Sequence, residues 1–171
     1  GDNGTGKSTL IRVFTGMQKA DAGTMHLDGG SFAPRSPRAA EDLGVRAVAQ
    51  EIDLVPTLSI AENVTLGRET TRFGFVHKSA ARERARVALA RLAVVTDVDR
   101  TLGACSIALQ QRVAIARALD ATCRVLILDE PTASLDADET KRLFDVLRAL
   151  RGQGIGIVFI TLAVVTSILE R

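Results

Sequence analysis

A chain that carries Gly1, Gly6, Lys7 and Ser8 in the spacing G-x-x-x-x-G-K-S has few folds open to it. A loop of this kind joins a buried strand to a helix. Successive backbone N–H groups turn inward around an anion, and the helix that follows adds its positive end. Lys7 can reach outer phosphates as a point charge, and Ser8 can offer its hydroxyl to Mg²⁺. A glycine-rich tail that binds nothing is the competing reading, and a complete motif ahead of a good helix argues against it. The loop GDNGTGKS occupies the first eight positions, so the strand that should feed it is expected to be missing and the fold incomplete at its N-terminus.

Composition narrows the class. The 171 residues suffice for one sizeable core, and 46% apolar with 25% charged residues is ordinary for a soluble globular domain. A formal net charge of +2 is too small to argue for nucleic acid or an acidic membrane. No apolar run approaches the length of a membrane span, and no signal peptide is visible. Cys105 and Cys123 lack metal-ligand or disulfide-framework spacing and are expected to be reduced, partly buried thiols. Trp and Tyr are absent, which removes the usual stacking platforms for single-stranded nucleic acid and for adenine.

The pattern along the chain is α/β with a helical insertion. Lys7 to Met17 reads as a helix with Leu10, Ile11, Val13 and Phe14 on its apolar side. Thr24–Asp28 alternates as a short strand. Ser36-Pro37 reads as a cap followed by a first-turn proline, leading into Ala39–Leu43. Val45–Ala49 is a compact apolar strand. From Leu58 to about Leu119 the expectation is helical throughout, opened by Ser59 and Glu62 in capping-box spacing. Ala81, Ala85, Ala88, Leu89 and Leu92 recur at helical steps, with Arg82, Arg84, Arg86 and Arg91 forming a solvated face. Ser106–Leu119 reads as a further helix with Ile107, Val113, Ala114, Arg117 and Ala118 near its packed side. Val125–Leu128 is a buried parallel strand, Ala137–Leu150 a helix, and Ile157–Ile160 the next strand. Leu162–Leu169 fits either a helix or a strand.

Three residues join the loop in carrying chemistry. Asp129 stands at the carboxyl end of a hydrophobic strand, where α/β folds place ligand contacts, and can hold Mg²⁺ opposite Ser8. Glu130 follows it and can polarise an attacking water as general base. A lone Asp-Glu at a strand end is often a helix cap, and the phosphate loop is what favours the catalytic reading. Gln50 ends the strand before the insertion and can touch the metal or that water. His26 and His77 are expected to be non-catalytic.

With these residues in view, the chain resembles the nucleotide-binding domain of an ABC transporter. It is most similar to the first ATPase cassette of tandem proteins that energise bacterial monosaccharide importers of the ribose, xylose and galactose type. GDNGTGKSTLIRVFTG resembles the Walker A loop and its helix, AVAQEIDLVPTLSIAENVTLGRE the stretch around the Q-loop, CSIALQQRVAIARAL the signature segment, and VLILDEPTASLD the Walker B strand and D-loop. The resemblance implies a P-loop NTPase (RecA-like) α/β core at 1–57 and 120–171 with a helical subdomain at 58–119. It implies ATP binding through Gly1, Asp2, Asn3, Gly4, Thr5, Gly6, Lys7, Ser8 and Thr9, and Mg²⁺ held by Ser8, Gln50 and Asp129. Glu130 and Gln50 would serve catalysis. Ser106, Ile107 and Ala108 would contact the nucleotide of a partner cassette in trans, and Ser134 and Asp136 would form the D-loop.

Departures from the pattern are equally specific. Leu109 stands where the sugar-importer branch has the first glutamine of its signature, and it has no hydrogen bond to donate. Thr161-Leu162 stands where the family places a histidine at the γ-phosphate. The family's opening strands and second cassette are missing, so the chain is expected to be truncated at both ends, with open strand edges. The implied partners are a second cassette, transmembrane permease subunits and, indirectly, a periplasmic sugar-binding protein, at the cytoplasmic face of the bacterial inner membrane. No nucleic acid is expected. Two other readings stay open: a degenerate cassette that binds ATP with negligible hydrolysis, and an ABC ATPase without a transport role.

Overall fold

A computed structural model of the chain describes residues 6–49, 54–68, 71–72, 75–119, 122–161 and 165–167. Helix α1 (Lys7–Phe14) is followed by a short antiparallel pair, β1 (His26–Leu27) and β2 (Gly30–Ser31). Helix α2 (Pro37–Asp42) starts as its sequence dictates: the Ser36 hydroxyl accepts from the Ala39 amide at 3.2 Å, and Pro37 fills the first turn, where no N–H is needed. Strand β3 (Val45–Val48) then leads to α3 (Ile60–Thr65). There Ser59 and Glu62 form the expected capping box, with the Glu62 carboxylate accepting from the Ser59 amide at 2.8 Å. The Ser59 hydroxyl, which donates to the same carboxylate at 2.7 Å, and after it the Ser59 amide hold the Glu62 carboxyl below its ordinary pKa.

The stretch expected to be helical throughout is interrupted by a hairpin, β4 (Thr71–Arg72) against β5 (Phe75–Val76). Thr-Arg-x-x-Phe-Val is β-branched and aromatic, which suits a strand better than a helix. Helix α4 (Lys78–Ala90), a 3₁₀ turn at Leu102–Ala104 and helix α5 (Ile107–Ala118) follow. Ala81, Ala85, Leu89 and Leu92 are buried as their spacing demands, while Ile107, expected near the packed side, is 53% exposed in the first turn of α5. Strand β6 (Val125–Asp129), helix α6 (Ala137–Gly152), strand β7 (Gly156–Ile160) and strand β8 (Val165–Ser167) complete the described chain.

The main sheet has the order β3-β6-β7-β8. β3, β6 and β7 run parallel and β8 is antiparallel to β7, so of the stretch that fits either a helix or a strand, Val165–Ser167 is a strand that covers one edge of β7. β6 and β7 are covered on both faces, which is why they read as near-continuous apolar runs, whereas β3 carries buried Arg46 and exposed Ala47. Alternation divides them cleanly. Val48, Leu126, Leu128, Ile157 and Phe159 face a core built with α3, α4, α5 and α6. Val45, Ile127 and Ile160 face a smaller core with Phe32 and Ala40, against which Ile11 and Phe14 of α1 pack. Gly44 sets the register of β3 on β6: its φ is 90°, its carbonyl accepts from the Arg124 and Val125 amides, and a Cβ would lie 2.6 Å from the Thr122 carbonyl. Cys105 is buried and Cys123 half-buried, both as free thiols.

Candidate functional site

Parallel strands end on one side of a sheet, and Asp129, Glu130 and Thr161 lie at that side. β6 and β7 are paired so that Asp129 lies opposite Ile160, and the next residues on each strand, Glu130 and Thr161, continue past the sheet. The Glu130 amide donates to the Ile160 carbonyl at 2.8 Å. Glu130 has φ of 48°, a left-handed conformation uncommon for a non-glycine residue. The turn bends the chain sharply out of the strand toward Pro131, and the Ala133 amide closes it on the Glu130 carbonyl at 3.2 Å.

Helix α1 points its first turn at these strand ends. The Lys7 ammonium donates to the Thr161 carbonyl at 2.9 Å and stands 3.8 Å from the Glu130 carboxylate. The Lys7 and Glu130 side chains are only 13% and 11% exposed, so this pair is partly shielded from water. Gly6 caps α1 with φ of 73°, and among the described residues no side chain caps this helix start and nothing lies within 4 Å of a Cβ placed on Gly6. A helix start with backbone donors and a cation beside it suits an anion. Ser8 and Thr9 are exposed on the same first turn.

Electrostatics mark Asp129. Desolvation first, and the neighbouring Glu130 charge second, raise its pKa above the usual 3.8, while Lys7 pulls it down. Two adjacent carboxylates at a strand end, one of them reluctant to ionise, form a site that gains from a cation. The donor chemistry fits Mg²⁺: a serine hydroxyl and a carboxylate are hard oxygens, and that ion takes few protein ligands when phosphates and waters complete its shell. Among the described residues no group of three or more His, Cys, Asp or Glu could cage a metal without such help.

The remaining predicted residues fall in other places. Ser106 caps α5, accepting from the Leu109 amide at 3.3 Å, with Ile107 exposed beside it. Ala108 is half-buried. Ser134 is exposed in the loop after β6. Asp136 caps α6 in a capping box with Glu139, the Glu139 amide donating to it at 2.7 Å, so it has a structural employment of its own. Gly1, Asp2, Asn3, Gly4, Thr5, Gln50 and Leu162 lie outside the described residues. His26 is exposed in β1, and His77 precedes α4 with its Nδ1 3.0 Å from the Ser79 hydroxyl.

Two features escaped sequence reasoning. The Thr161 main-chain carbonyl anchors Lys7, and no side-chain identity signals a carbonyl's role. Asn63 is fully buried on α3 and ties down the loop before it: its Oδ1 accepts from the Val55 amide at 2.8 Å, and its Nδ2 donates to the Val55 and Ser59 carbonyls, each at 3.0 Å. An asparagine within an apolar stretch was the available signal.

The sequence profile of the family described as ABC transporter matches residues 1–133. The chain is 45% identical over 161 residues to the galactofuranose transporter ATP-binding protein YtfR of Escherichia coli strain K12. It is 46% identical over 162 residues to the ribose import ATP-binding protein RbsA of Chromobacterium violaceum. Each alignment covers 94% of this chain and 32% of the relative, so the chain spans about a third of the length of these proteins. Among solved structures it is similar to the ADP conformation of MJ1267, an ATP-binding cassette of an ABC transporter, with a TM-score of 0.79 and 26% identity over 92% of this chain and 66% of that one. Likeness to cbiO1 of Clostridium perfringens, described as part of the ABC transporter complex cbiONQ, has a TM-score of 0.76 and 30% identity over 94% and 64% of the two chains.

Proposed function

The chain belongs to the ABC transporter family, and from that premise we propose that it is an ATP-binding and ATP-hydrolysing cassette, or part of one, that powers import of a sugar. The observation that carries this reading is the Lys7 ammonium, 2.9 Å from the Thr161 carbonyl and 3.8 Å from Glu130, which brings the phosphate loop's lysine to the ends of β6 and β7. Support for a sugar as cargo comes from relatives named for galactofuranose and ribose. Which monosaccharide is moved would be decided by other subunits.

The residues divide the work as follows in this proposal. Gly1 to Thr9 supply backbone donors and the positive end of α1 to the phosphates, with Lys7 turning from Thr161 and Glu130 to the outer phosphate oxygens. Ser8, Gln50 and Asp129 would hold Mg²⁺, which neutralises phosphate charge when bound. Glu130 accepts a proton from the water that attacks the γ-phosphorus, aided by Gln50. Residues 1–57 and 120–171 form the α/β core and 58–119 the helical subdomain. Ser106, Ile107 and Ala108 at the exposed start of α5 meet the nucleotide of a second cassette, and Ser134 and Asp136 line that contact. The assembly would include permease subunits facing residues 55–69, a periplasmic sugar-binding protein, and no nucleic acid. Its place would be the cytoplasmic face of the inner membrane. No described helix is long and apolar enough to cross one.

A second reading has its own observation. Leu109 replaces a donor at the start of α5, and Leu162 brings no polar atom to the position after Thr161. Loss of one such donor costs about 2.7–4 kcal/mol of transition-state stabilisation where measured in other enzymes, a factor of about a hundred to a thousand. The cassette would then bind ATP and turn it over slowly. Steady-state ATP hydrolysis by a complete cassette built around this chain tests both readings, against its Glu130→Gln form and its Leu109→Gln/Leu162→His form. Turnover abolished by Glu130→Gln supports the ATPase. A rise of tenfold or more in the double variant supports the slow cassette. Turnover indifferent to Glu130 overturns the assignment.

A further inference from the structure

Arg142, Asp145, Val146 and Ala149 follow the i, i+3, i+4, i+7 rule and share one stripe of α6. That stripe forms one wall of a cavity of about 330 Å³, completed by Arg91 and Leu92 at the end of α4 and by Arg112 of α5. Three helices thus each contribute an arginine to one lining. Arg91 and Arg112 are half-buried, although Arg91 reads in sequence as part of a solvated face, and Arg142 is exposed. Buried Leu92 and Val146 give the cavity an apolar side.

Charge in this lining does not cancel. Asp145 is its one carboxylate, and Arg148, which stands outside the lining, holds that carboxylate at 2.6 Å. Arg91 reaches the Gln153 amide oxygen at 3.4 Å, a neutral partner. Arg112 and Arg142 form no hydrogen bond or ion pair among the described residues. A guanidinium cannot shed its charge at any physiological pH, so half-buried arginines of this kind gain from an anion that brings acceptors to them. A carboxylate offers two oxygens and one charge, which suits a single fork. A phosphate monoester offers three terminal oxygens and about 1.5–2 negative charges at neutral pH, enough to meet arginines arriving from three helices.

We propose that the cavity among α4, α5 and α6 binds a phosphate monoester, its phosphoryl oxygens on Arg91, Arg112 and Arg142 and its organic part against Leu92 and Val146. None of these residues belongs to the Lys7 site, so the proposal stands independently of the nucleotide reading.

The test is calorimetric titration of phenyl phosphate, without Mg²⁺, into the whole chain and into its Lys7→Ala form. Saturable binding of similar affinity in both is expected. Benzoate, a ring of the same size with a single charge, should bind at least tenfold more weakly. Arg142→Gln, at an exposed site, should weaken binding of phenyl phosphate, and Arg112→Gln/Arg142→Gln should weaken it tenfold or more, with folding matched by circular dichroism. Asp145→Asn should tighten it, a change that damage to the fold would not produce. Vesicles of phosphatidate carry the same group on a lipid and distinguish the source. Sedimentation of the chain with them through Arg112 and Arg142, alongside binding of phenyl phosphate, assigns a lipid headgroup, and binding of phenyl phosphate alone assigns a soluble ester. The proposal is overturned if phenyl phosphate does not bind, if benzoate binds equally well, if the double variant binds as the parent does, or if Lys7→Ala abolishes binding.

Discussion

Lys7 at the head of α1 and Thr161 just beyond β7 lie 154 positions apart in sequence and are joined by a hydrogen bond of 2.9 Å. The bond ties the phosphate-loop helix to the end of the central sheet, and Glu130 stands 3.8 Å from the same ammonium. Three stretches of the chain meet there.

Asp129 should make the fold less stable at neutral pH than it need be. Desolvation and the Glu130 charge raise its carboxyl pKa above the usual 3.8. The folded chain thus binds this proton more readily than the unfolded chain does. The stabilising contribution is complete below pH 3.8 and is lost as pH rises through the elevated folded value. Asp129→Asn should raise the thermal midpoint at pH 7, with the advantage shrinking toward acid, as measured by unfolding scans across pH. Lys7 opposes the shift, so Lys7→Ala should move the Asp129 titration further upward in carbon-detected NMR.

Glu130 combines a strained backbone with a charge, and substitution can separate the two. Glycine at this position relieves the left-handed conformation, whereas alanine does not. Glu130→Gly should therefore be more stable than Glu130→Ala by about 1–2 kcal/mol in urea unfolding. Glu130→Gln keeps the backbone demand and removes the carboxylate, so it should retain nucleotide binding while losing turnover by about a hundredfold or more. Equal stability of the glycine and alanine forms would show that the conformation carries no strain.

Asn63 should behave as a structural keystone of the loop before α3. Alanine there leaves the Val55 amide without its partner at a fully buried position and removes one of two donors to the Val55 carbonyl, which keeps the Leu58 amide at 3.1 Å. The expected loss is about 2–4 kcal/mol in denaturant unfolding, with faster hydrogen exchange at Val55.

Much of this architecture is written locally. Ser36-Pro37 and Ser59-x-x-Glu62 announce their helix starts because a cap and its acceptor lie within four residues. Val125 to Asp129 announces a doubly buried strand because every residue but the last is apolar. Asp129 and Glu130 stand out by position at that strand's end. What the sequence hides depends on distance or on the main chain. The Lys7 anchor is a carbonyl across the whole fold. Ile107 looks like a core residue by type, yet it falls in the exposed first turn of α5, where the core has not begun. The β4–β5 hairpin is too short to break a helical pattern read over longer windows.

The measurement that bears most directly on the central claim is calorimetric titration of Mg²⁺·ATP into the chain and into its Lys7→Ala form, with circular dichroism to match their folding. Charge-assisted contacts to phosphate are worth about 1.5–3 kcal/mol, so the parent should bind saturably and the variant at least about tenfold more weakly. Removal of Mg²⁺ should weaken the parent as well. Equal affinity of the two folded proteins would contradict the account, because the cation beside Glu130 and Thr161 would then play no part in holding phosphate.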